Sequence, residues 1–283
     1  MTKINITKAS GEQEPFDESK LRRSLKGAGA ADEIVDSVVK AVMGKLVEGM
    51  STRKIYREAF KQLSAESQRA AGRYKLKEAI LELGPTGFPF ERFIAKILDR
   101  SGFETEVGVK VQGDCISHEI DVIAVKDDQY YIVECKFHNK KENRCNVQVP
   151  LYIQSRFLDV KNNWTKQPGH AGKEHSGYVV TNTRFTTDAL AYGECVGLNL
   201  LSWDYPKNDG LKDRIGRLNL HPITCLSSLT KAEKNLLTNK GIVLTVQLYE
   251  STNVLKEIGL DQRKANRVIK EAKAICSYHS NNL

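Results

Sequence analysis

The stretch HEIDVIAVKDDQYYIVECKF, residues 118–137, decides the fold of the middle of this chain. Its two halves are rich in β-branched and aromatic residues, which favour β-strands, and the polar segment KDDQ at 126–129 predicts a hairpin turn between them. Because alternate side chains of a strand share a face, the charged residues of each predicted strand lie together on one face. These residues are Glu119 and Asp121 on the first strand, and Glu134 and Lys136 on the second.

The paired strands predict a metal site. Adjacent antiparallel strands lie about 4.8 Å apart, so Asp121 and Glu134 can reach one cation if the register places them opposite each other. We predict that Asp121, Glu134 and the main-chain carbonyl of Cys135 hold Mg²⁺, a hard cation that prefers oxygen ligands and makes a bound water acidic. Lys136 is predicted to orient the attacking water or to stabilise the pentacovalent phosphate. The alternative is an ordinary cross-strand ion pair at a sheet surface.

A helix is predicted upstream of this hairpin. Its apolar residues recur at the spacing i, i+3, i+4, i+7, i+8, and Ser101-Gly102 ends the pattern. They are Phe90, Phe93, Ile94, Ile97 and Leu98. Glu91 falls at the flank of the apolar stripe, where a carboxylate costs free energy unless it is paired or bound to a metal. Glu91 is therefore a further candidate catalytic residue, with a role beside the metal or at a second metal.

These motifs together resemble the Mrr-like restriction endonucleases of the PD-(D/E)-x-K superfamily, over about half of the chain. The matching stretches are GPTGFPFE at 84–91, Gly102-Phe103, HEIDV at 118–122 and ECK at 134–136. The resemblance extends to GYVVTN at 177–182, a predicted buried strand, and to a helix that opens at 185–189. It implies an α/β core with a mixed sheet flanked by helices, and hydrolysis of DNA phosphodiester bonds.

Two further residues have a spacing seen after the active lysine in RecB-like nucleases. Gln148 and Tyr152 are four residues apart, and Pro150 between them indicates the start of a helix. Polar residues on a helix surface explain the pair more simply. Residues 162–176, with one Trp, one Pro and two Gly, predict a long flexible loop beside the active face.

The N-terminal part predicts a short strand at residues 4–8, a turn, a helix that begins at Glu18 and two further helices. It resembles the ATP-cone, a regulatory nucleotide-binding module, over residues 3–83. The resemblance rests on Lys8 and Gly11, on Glu14 and on the segment from Phe16-Asp17 to Lys20-Leu21-Arg22-Arg23. The residues implied to bind ATP or dATP are Lys8, Glu14, Asp17, Lys20 and Thr52, with Tyr56 near them. The alternative is a small helical bundle for DNA binding or dimerisation.

The C-terminal part contains Ile258-Gly259-Leu260 between two predicted helices. This turn resembles a helix-hairpin-helix element, in which main-chain amides at a helix N-terminus bind a DNA phosphate without reading the base sequence. The predicted DNA contacts are Gly259, Arg263, Lys264, Arg267 and Lys270. The alternative is a conformational role, because glycine is common at helix C-termini.

Charge is unevenly distributed over the 283 residues. Residues 1–84 contain 16 Lys plus Arg against 12 Asp plus Glu, residues 85–225 contain 18 against 18, and residues 226–283 contain 9 against 5. The basic ends can attract nucleic-acid phosphates to a middle part that concentrates carboxylates. The six cysteines show no zinc-ligand spacing, and no apolar run reaches the roughly 18 residues of a membrane span. We therefore expect reduced thiols, a cytoplasmic location and no membrane partner.

These observations predict an α+β multidomain protein with three modules. They are a mostly helical ATP-cone at 1–84, a nuclease domain at 85–225 and a helical DNA-binding segment at 226–283. The expected function is a Mg²⁺-dependent DNA endonuclease of the restriction or defence type, regulated by ATP or dATP and acting as a homo-oligomer. One alternative is a nucleotide-responsive DNA-binding regulator whose nuclease fold is silent, and another is a nuclease for RNA or branched DNA.

Overall fold

The computed structural model describes residues 4–8, 10–251 and 253–276. The strands are β1 (Asn5–Thr7), β2 (Gln13–Pro15), β3 (Met50–Ser51), β4 (Glu104–Gln112), β5 (Ser117–Lys126), β6 (Gln129–Lys136), β7 (Arg144–Cys145), β8 (Glu174–Thr181), β9 (Arg184–Phe185) and β10 (Asn199–Leu201). The helices are α1 (Glu18–Gly27), α2 (Asp32–Met43), α3 (Thr52–Glu66), α4 (Gln68–Tyr74), α5 (Leu76–Leu81), α6 (Phe88–Asp99), α7 (Gln148–Trp164), α8 (Thr187–Cys195), α9 (Leu211–Leu218), α10 (Lys231–Asn239), α11 (Gln247–Glu250), α12 (Asn253–Glu257) and α13 (Gln262–Cys276).

The chain forms two compact units. The N-terminal unit contains the described residues up to Lys77, together with 225–230 and those from Leu248 onward. The central unit contains Glu78–Thr224 and Lys231–Gln247. The C-terminal part of the sequence therefore contributes to both units, and neither unit is one continuous stretch of the chain.

A five-stranded mixed sheet organises the central unit, in the order β10-β8-β6-β5-β4. Strands β4, β5 and β6 are antiparallel neighbours joined by short turns, whereas β8 and β10 continue the sheet in parallel with β6. Helix α7 lies in the connection from β6 to β8, as a parallel crossover requires. The mixed sheet flanked by helices agrees with the predicted fold class.

Helix α6 supplies much of the core of this unit. The five apolar residues predicted from its spacing are all at most 2% exposed. Full burial of a side chain of this size contributes about 1.5–3 kcal/mol, which holds the helix in place although its own sequence offers no side-chain N-cap. The prediction of this helix is confirmed, and its burial brings Glu91 to the edge of the core.

The prediction of a long loop at 162–176 is wrong in extent. Helix α7 continues to Trp164, a short 3-10 helix covers Pro168–His170 and β8 begins at Glu174. Trp164 is buried and stacks on the ring of His170 with a centroid distance of 4.5 Å. This aromatic contact orders a segment whose Gly and Pro content alone predicted a loop.

The N-terminal unit packs helices on a small sheet of order β2-β1-β3. Four valines of α2, at 35, 38, 39 and 42, are at most 3% exposed, which confirms the spacing expected for a buried helix face. The predicted start of α1 is also confirmed, because the Asp17 carboxylate caps the helix by accepting from the N–H groups of Ser19 and Lys20. Ser51 caps α3 in the same way, through the N–H of Lys54.

Helix α13 packs against α4 within the N-terminal unit. Gly72 of α4 faces Ile275, whose side chain is fully buried, and a Cβ at position 72 would overlap that side chain. Arg73 Nε donates to the main-chain oxygen of Ile275 at 3.1 Å. The last helix of the described chain therefore packs closely on α4.

A buried carboxylate joins α13 to the segment at 227–228. Glu271 is 4% exposed, and its two oxygens accept from the N–H and Oγ of Ser227 and from the N–H of Ser228, at 2.7–2.9 Å. Three such bonds offset the cost of burying a charged group. They explain why residues 225–230 belong to the N-terminal unit.

Candidate functional site

The register of β5 and β6 brings the predicted metal ligands together. The antiparallel pairs run from Lys126 with Gln129 to Val122 with Val133, and the next position along both strands is Asp121 with Glu134. The main-chain hydrogen bonds of the hairpin end there. Instead, Oδ2 of Asp121 accepts a hydrogen bond from the N–H of Cys135 at 2.7 Å. The bond places the Asp121 carboxylate next to the main chain of Glu134-Cys135, where the described ladder has ended.

Three carboxyl groups influence one another at this place. Burial raises the pKa of Glu91 to about 7, with further contributions from the charges of Asp121, Glu134 and Glu119. Burial also raises the pKa of Glu134, helped by Asp121, and it raises that of Asp121 although the Cys135 N–H opposes the shift. The charges of Arg156 and Lys136 oppose the shifts of Asp121 and Glu134, so burial decides their direction.

An excess of half-buried carboxylate oxygens suits a hard divalent cation. The side chains are not arranged as a finished coordination sphere: in the ranges 4–8, 10–251 and 253–276, no three His, Cys, Asp or Glu side chains form a group able to hold a metal ion. The Cys135 thiol is not a suitable ligand, because burial raises its pKa well above the ordinary value. Only its main-chain carbonyl is a candidate, as predicted. The donor set of Asp121, Glu134 and this carbonyl fits Mg²⁺.

Arg156 is a member of the site that the sequence analysis missed. Its Nη1 lies 2.8 Å from Oε2 of Glu134, and its Nη2 donates to the main-chain oxygen of Glu119. Helix α7 packs on the sheet, and its Phe157 belongs to one buried cluster with Ile123 of β5 and Ile132 of β6. The available signal was periodic: Gln148, Tyr152 and Arg156 recur every four residues on a helix.

A cavity of about 340 Å³ opens beside Glu134 and Lys136. Gln148 and Tyr152 line it as well, and both side chains are exposed, so their interpretation as surface polarity stays a prediction. Lys136 is exposed on the face that carries Glu134, and this places its ammonium group at the cavity. The cavity thus combines carboxylate acceptors, a cation and polar side chains.

His138 also lines this cavity. Its pKa is lowered by burial and by the charge of Lys136. The main chain at this position is held by Asn182, which accepts from the N–H of His138 and donates to its carbonyl, both at 2.8 Å. Asn182 follows β8, so the end of that strand fixes the segment that leaves the site.

The predicted nucleotide residues gather around a second cavity, of about 210 Å³, in the N-terminal unit. Its lining includes four of the five predicted residues, namely Glu14, Asp17, Lys20 and Thr52. Tyr56 and Tyr74 stack at one wall, with ring centroids 5.0 Å apart. Tyr74 was not predicted, because it belongs to α4, a helix that the sequence pattern did not indicate.

Charges around this second cavity are matched. Nζ of Lys8 lies 2.8 Å from Glu14, and Nζ of Lys20 lies 3.7 Å from the same carboxylate. The hydrogen bond to Lys8 lowers the pKa of Glu14, and the reciprocal bond raises the pKa of Lys8. Lys8 stands behind Glu14 rather than in the lining, and Asp17 is occupied as the cap of α1.

The C-terminal hairpin has the predicted shape. Gly259, with a φ of +84°, lies between α12 and α13. Arg263, Arg267 and Lys270 are exposed at the spacing of one helix face. Together with Lys264, the two arginines line a surface cavity of about 420 Å³. The main-chain N–H of Lys264, in the first turn of α13, already donates to the Asp261 carboxylate at 2.8 Å. The positive charge is therefore presented by the side chains rather than by the helix amides.

Comparison with known proteins divides the chain as the sequence motifs do. The family model of the ATP cone domain matches residues 4–78, that of a restriction endonuclease domain matches 84–205, and that of the AF1548-like C-terminal domain matches 221–276. The chain thus contains a nuclease-like domain and a nucleotide-binding type of domain. No helix in the described part is long and apolar enough to cross a membrane.

Two relatives cover most of the chain. A protein of Archaeoglobus fulgidus described as uncharacterized is 37% identical over 183 residues, which are 64% of this chain and 99% of that protein. The crystal structure of a protein of unknown function, AF1548, superimposes with a TM-score of 0.57 at 34% identity and covers 68% of this chain and 98% of its own. The chain therefore belongs to the AF1548-like family and combines its C-terminal domain with a restriction endonuclease domain and an ATP cone domain.

Proposed function

We propose that this protein is a Mg²⁺-dependent DNA endonuclease of the restriction or defence type, regulated by ATP or dATP. One observation carries the proposal: the Asp121 carboxylate is bonded to the N–H of Cys135, directly after Glu134, in one electrostatic cluster with Glu91 and beside the exposed Lys136. A structural ion pair would not need three carboxyl groups whose pKa values are all raised by burial, two of them also by the charge of Asp121.

Each group has a separate role in this proposal. Asp121, Glu134 and the Cys135 carbonyl would hold Mg²⁺, which when bound supplies an acidic water and neutralises charge at the phosphate. Lys136 orients the attacking water or stabilises the charge that develops on the phosphate oxygens. Glu91 lies close enough to influence both carboxylates, and it accepts a proton or a second cation contact.

The nucleotide is proposed to bind at the cavity of the N-terminal unit. The stacked Tyr56 and Tyr74 offer an aromatic wall for a purine, and Lys20 offers a positive charge for phosphate. Tyr74 ends α4, which packs on α13. We therefore expect nucleotide binding to alter how α13 presents Arg263, Lys264, Arg267 and Lys270 to DNA.

The substrate is proposed to be double-stranded DNA, held in part by the phosphate contacts of α13. One active site per chain cuts one strand at a time, so we expect a homo-oligomer on DNA. RNA and branched DNA remain rival substrates for the same chemistry. Competition between linear, supercoiled, junction and RNA substrates separates them.

Plasmid cleavage tests the catalytic assignment. Wild-type protein is incubated with supercoiled plasmid, Mg²⁺ and ATP, alongside Asp121→Asn, Glu134→Gln and Lys136→Ala. Glu106→Gln is the matched control, because Glu106 is an exposed carboxylate on β4 of the same sheet. We expect cleavage by wild type and by the control, and loss in the three variants. Equal behaviour of all five proteins would refute the assignment.

A second candidate function is a nucleotide-responsive DNA-binding regulator with a silent nuclease fold. It is favoured by the ion pair between Arg156 and Glu134, which already neutralises one of the proposed metal ligands. DNA binding without cleavage under any divalent cation supports this candidate. Calorimetric titration with ATP and dATP, combined with sizing by light scattering, tests nucleotide regulation for both candidates.

A further inference from the structure

Arg156 is held in an unusual position for an arginine that serves only to join a helix to a sheet. Its side chain is 12% exposed and makes an ion pair with Glu134, whose side chain is 22% exposed. The guanidinium also donates to the Glu119 carbonyl and lies 5.5 Å from the ring centroid of Tyr152. Tyr152 and Glu134 line the same cavity, so the guanidinium contacts two residues of the cavity wall and stands behind them rather than in the lining.

The two anchors of Arg156 differ in what they can do. The Glu119 carbonyl is a main-chain atom of β5 and stays in place, whereas the Glu134 carboxylate belongs to the proposed metal site. A divalent cation at Glu134 would lie next to the guanidinium, and two cations that share one carboxylate repel each other. Arg156 thus competes with a metal ion for Glu134 when no DNA is present.

A bound phosphate changes this balance. The scissile phosphate lies beside the cation in the proposed reaction, and it brings negative oxygens next to Arg156. A guanidinium is permanently charged and its planar fork of N–H groups matches phosphate oxygens, which a lysine ammonium does not reproduce. With Nη2 held by the Glu119 carbonyl, Nη1 needs only to exchange Glu134 for a phosphate oxygen.

We propose that Arg156 is a further active-site residue, which neutralises Glu134 in the metal-free protein and donates to the DNA phosphate in the loaded site. This inference rests on the proposed function. It predicts opposite effects on two ligands: the guanidinium weakens Mg²⁺ binding to the free protein and strengthens DNA binding. A role in packing alone predicts that its removal weakens both.

The test compares Arg156→Gln and Arg156→Lys with wild type. Lys161→Gln is the matched control, because Lys161 is a cation of the same helix that packs over Phe157 instead of the site. Mg²⁺ affinity of the DNA-free protein is measured by calorimetry. Affinity for a DNA duplex is measured with Ca²⁺ in place of Mg²⁺, and thermal unfolding in EDTA reports on folding.

For Arg156→Gln we expect Mg²⁺ affinity to rise about three- to tenfold, because one neighbouring positive charge is removed. DNA affinity should fall about tenfold and cleavage further, because a charge-assisted hydrogen bond to phosphate is lost. Arg156→Lys keeps the charge but not the fork, so Mg²⁺ affinity should stay near that of wild type while cleavage is intermediate. The control should match wild type in every measurement.

Two results would overturn the inference. One is a fall of both affinities in Arg156→Gln together with a lower unfolding temperature in that variant and in Arg156→Lys, which indicates packing. The other is unchanged affinity for both ligands. If wild type binds Mg²⁺ and DNA but cuts nothing, the proposed endonuclease fails, whereas the opposite shifts of the two affinities still support Arg156. If wild type binds no Mg²⁺, both fail.

Discussion

The two candidate sites of this protein treat charge in opposite ways. In the central unit, the carboxyl groups of Glu91, Asp121 and Glu134 are partly buried together, and their pKa values are raised. In the N-terminal unit, the carboxyl group of Glu14 lies between two lysines and its pKa is lowered. Burial therefore outweighs the nearby cations at the first site, whereas ion pairs outweigh burial at the second. A cation is expected to bind at the first, and at the second a ligand that uses aromatic surface as well as charge.

The largest effect that sharpens this comparison is expected from Asp121→Asn. The change keeps an oxygen that can accept from the Cys135 N–H, so the fold should persist, but it removes a charge that a metal needs. Cleavage should fall by about 10³-fold. Unfolding in EDTA should occur at the same temperature as in wild type or a higher one, since a repulsive charge is lost. A clearly lower unfolding temperature would show that Asp121 is a structural residue.

Gly72→Ala tests whether the N-terminal unit depends on the packing of α4 on α13. The new methyl group would overlap the fully buried Ile275, and overpacking of this kind costs about 1–3 kcal/mol. We expect a lower denaturant midpoint and a weaker effect of nucleotide on DNA affinity.

Gly27→Ala is the control for this prediction. A Cβ at Gly27 meets nothing within 4 Å, and alanine favours the helix by up to about 1 kcal/mol. Stability should therefore stay equal or rise. Equal destabilisation by both substitutions would contradict the role assigned to the α4–α13 contact.

Glu91→Gln should produce a smaller, pH-dependent effect. Because the folded pKa, about 7, lies above the unfolded value, wild type is more stable with Glu91 protonated and loses stability as pH rises through 7. After a discount for solvent screening, the free energy of unfolding of the variant should exceed that of wild type by about 1 kcal/mol at pH 8. This difference should vanish toward about pH 4.5. Thermal unfolding in EDTA across this range measures it. A constant difference would show that Glu91 does not titrate in this window.

The smallest expected effect has the opposite sign and completes the comparison. The pKa of Glu14 is lowered, so its charge stabilises the folded state above the unfolded pKa, and this contribution is lost as pH falls through the folded pKa. Glu14→Gln should slightly lower the unfolding temperature at pH 7 and not in strong acid. A rise at pH 7, as expected for Glu91→Gln, would remove the difference between the two sites.

Much of the site was predictable from local sequence. The period of two in residues 118–137 placed Asp121, Glu134 and Lys136 on strand faces, and a hairpin allows few registers between such strands. The apolar spacing of α6 located Glu91 at the edge of the core. These predictions succeeded because strand and helix periodicity depend on neighbouring residues only.

Other members of the sites depended on distant contacts. Arg156 meets Glu134 across 22 positions of sequence, and Arg73 meets Ile275 across 202. No local pattern states which helix covers which strand, and for this reason α4, Tyr74 and the association of α13 with the N-terminal unit were not predicted. The prediction of a flexible loop was wrong for the same reason, because the ring of Trp164 packs against Tyr130 of β6.

The amino-acid sequence by itself determined strands β5 and β6, helix α6 and the chemical character of each candidate site, because side-chain type and periodicity are local properties. Only the tertiary structure decided which charges are neutralised. Burial and the neighbours of a carboxyl group set its pKa, and both depend on segments that the chain brings together from far apart. Glu91 and Glu14 are the same residue type, and their surroundings alone shift their pKa values in opposite directions.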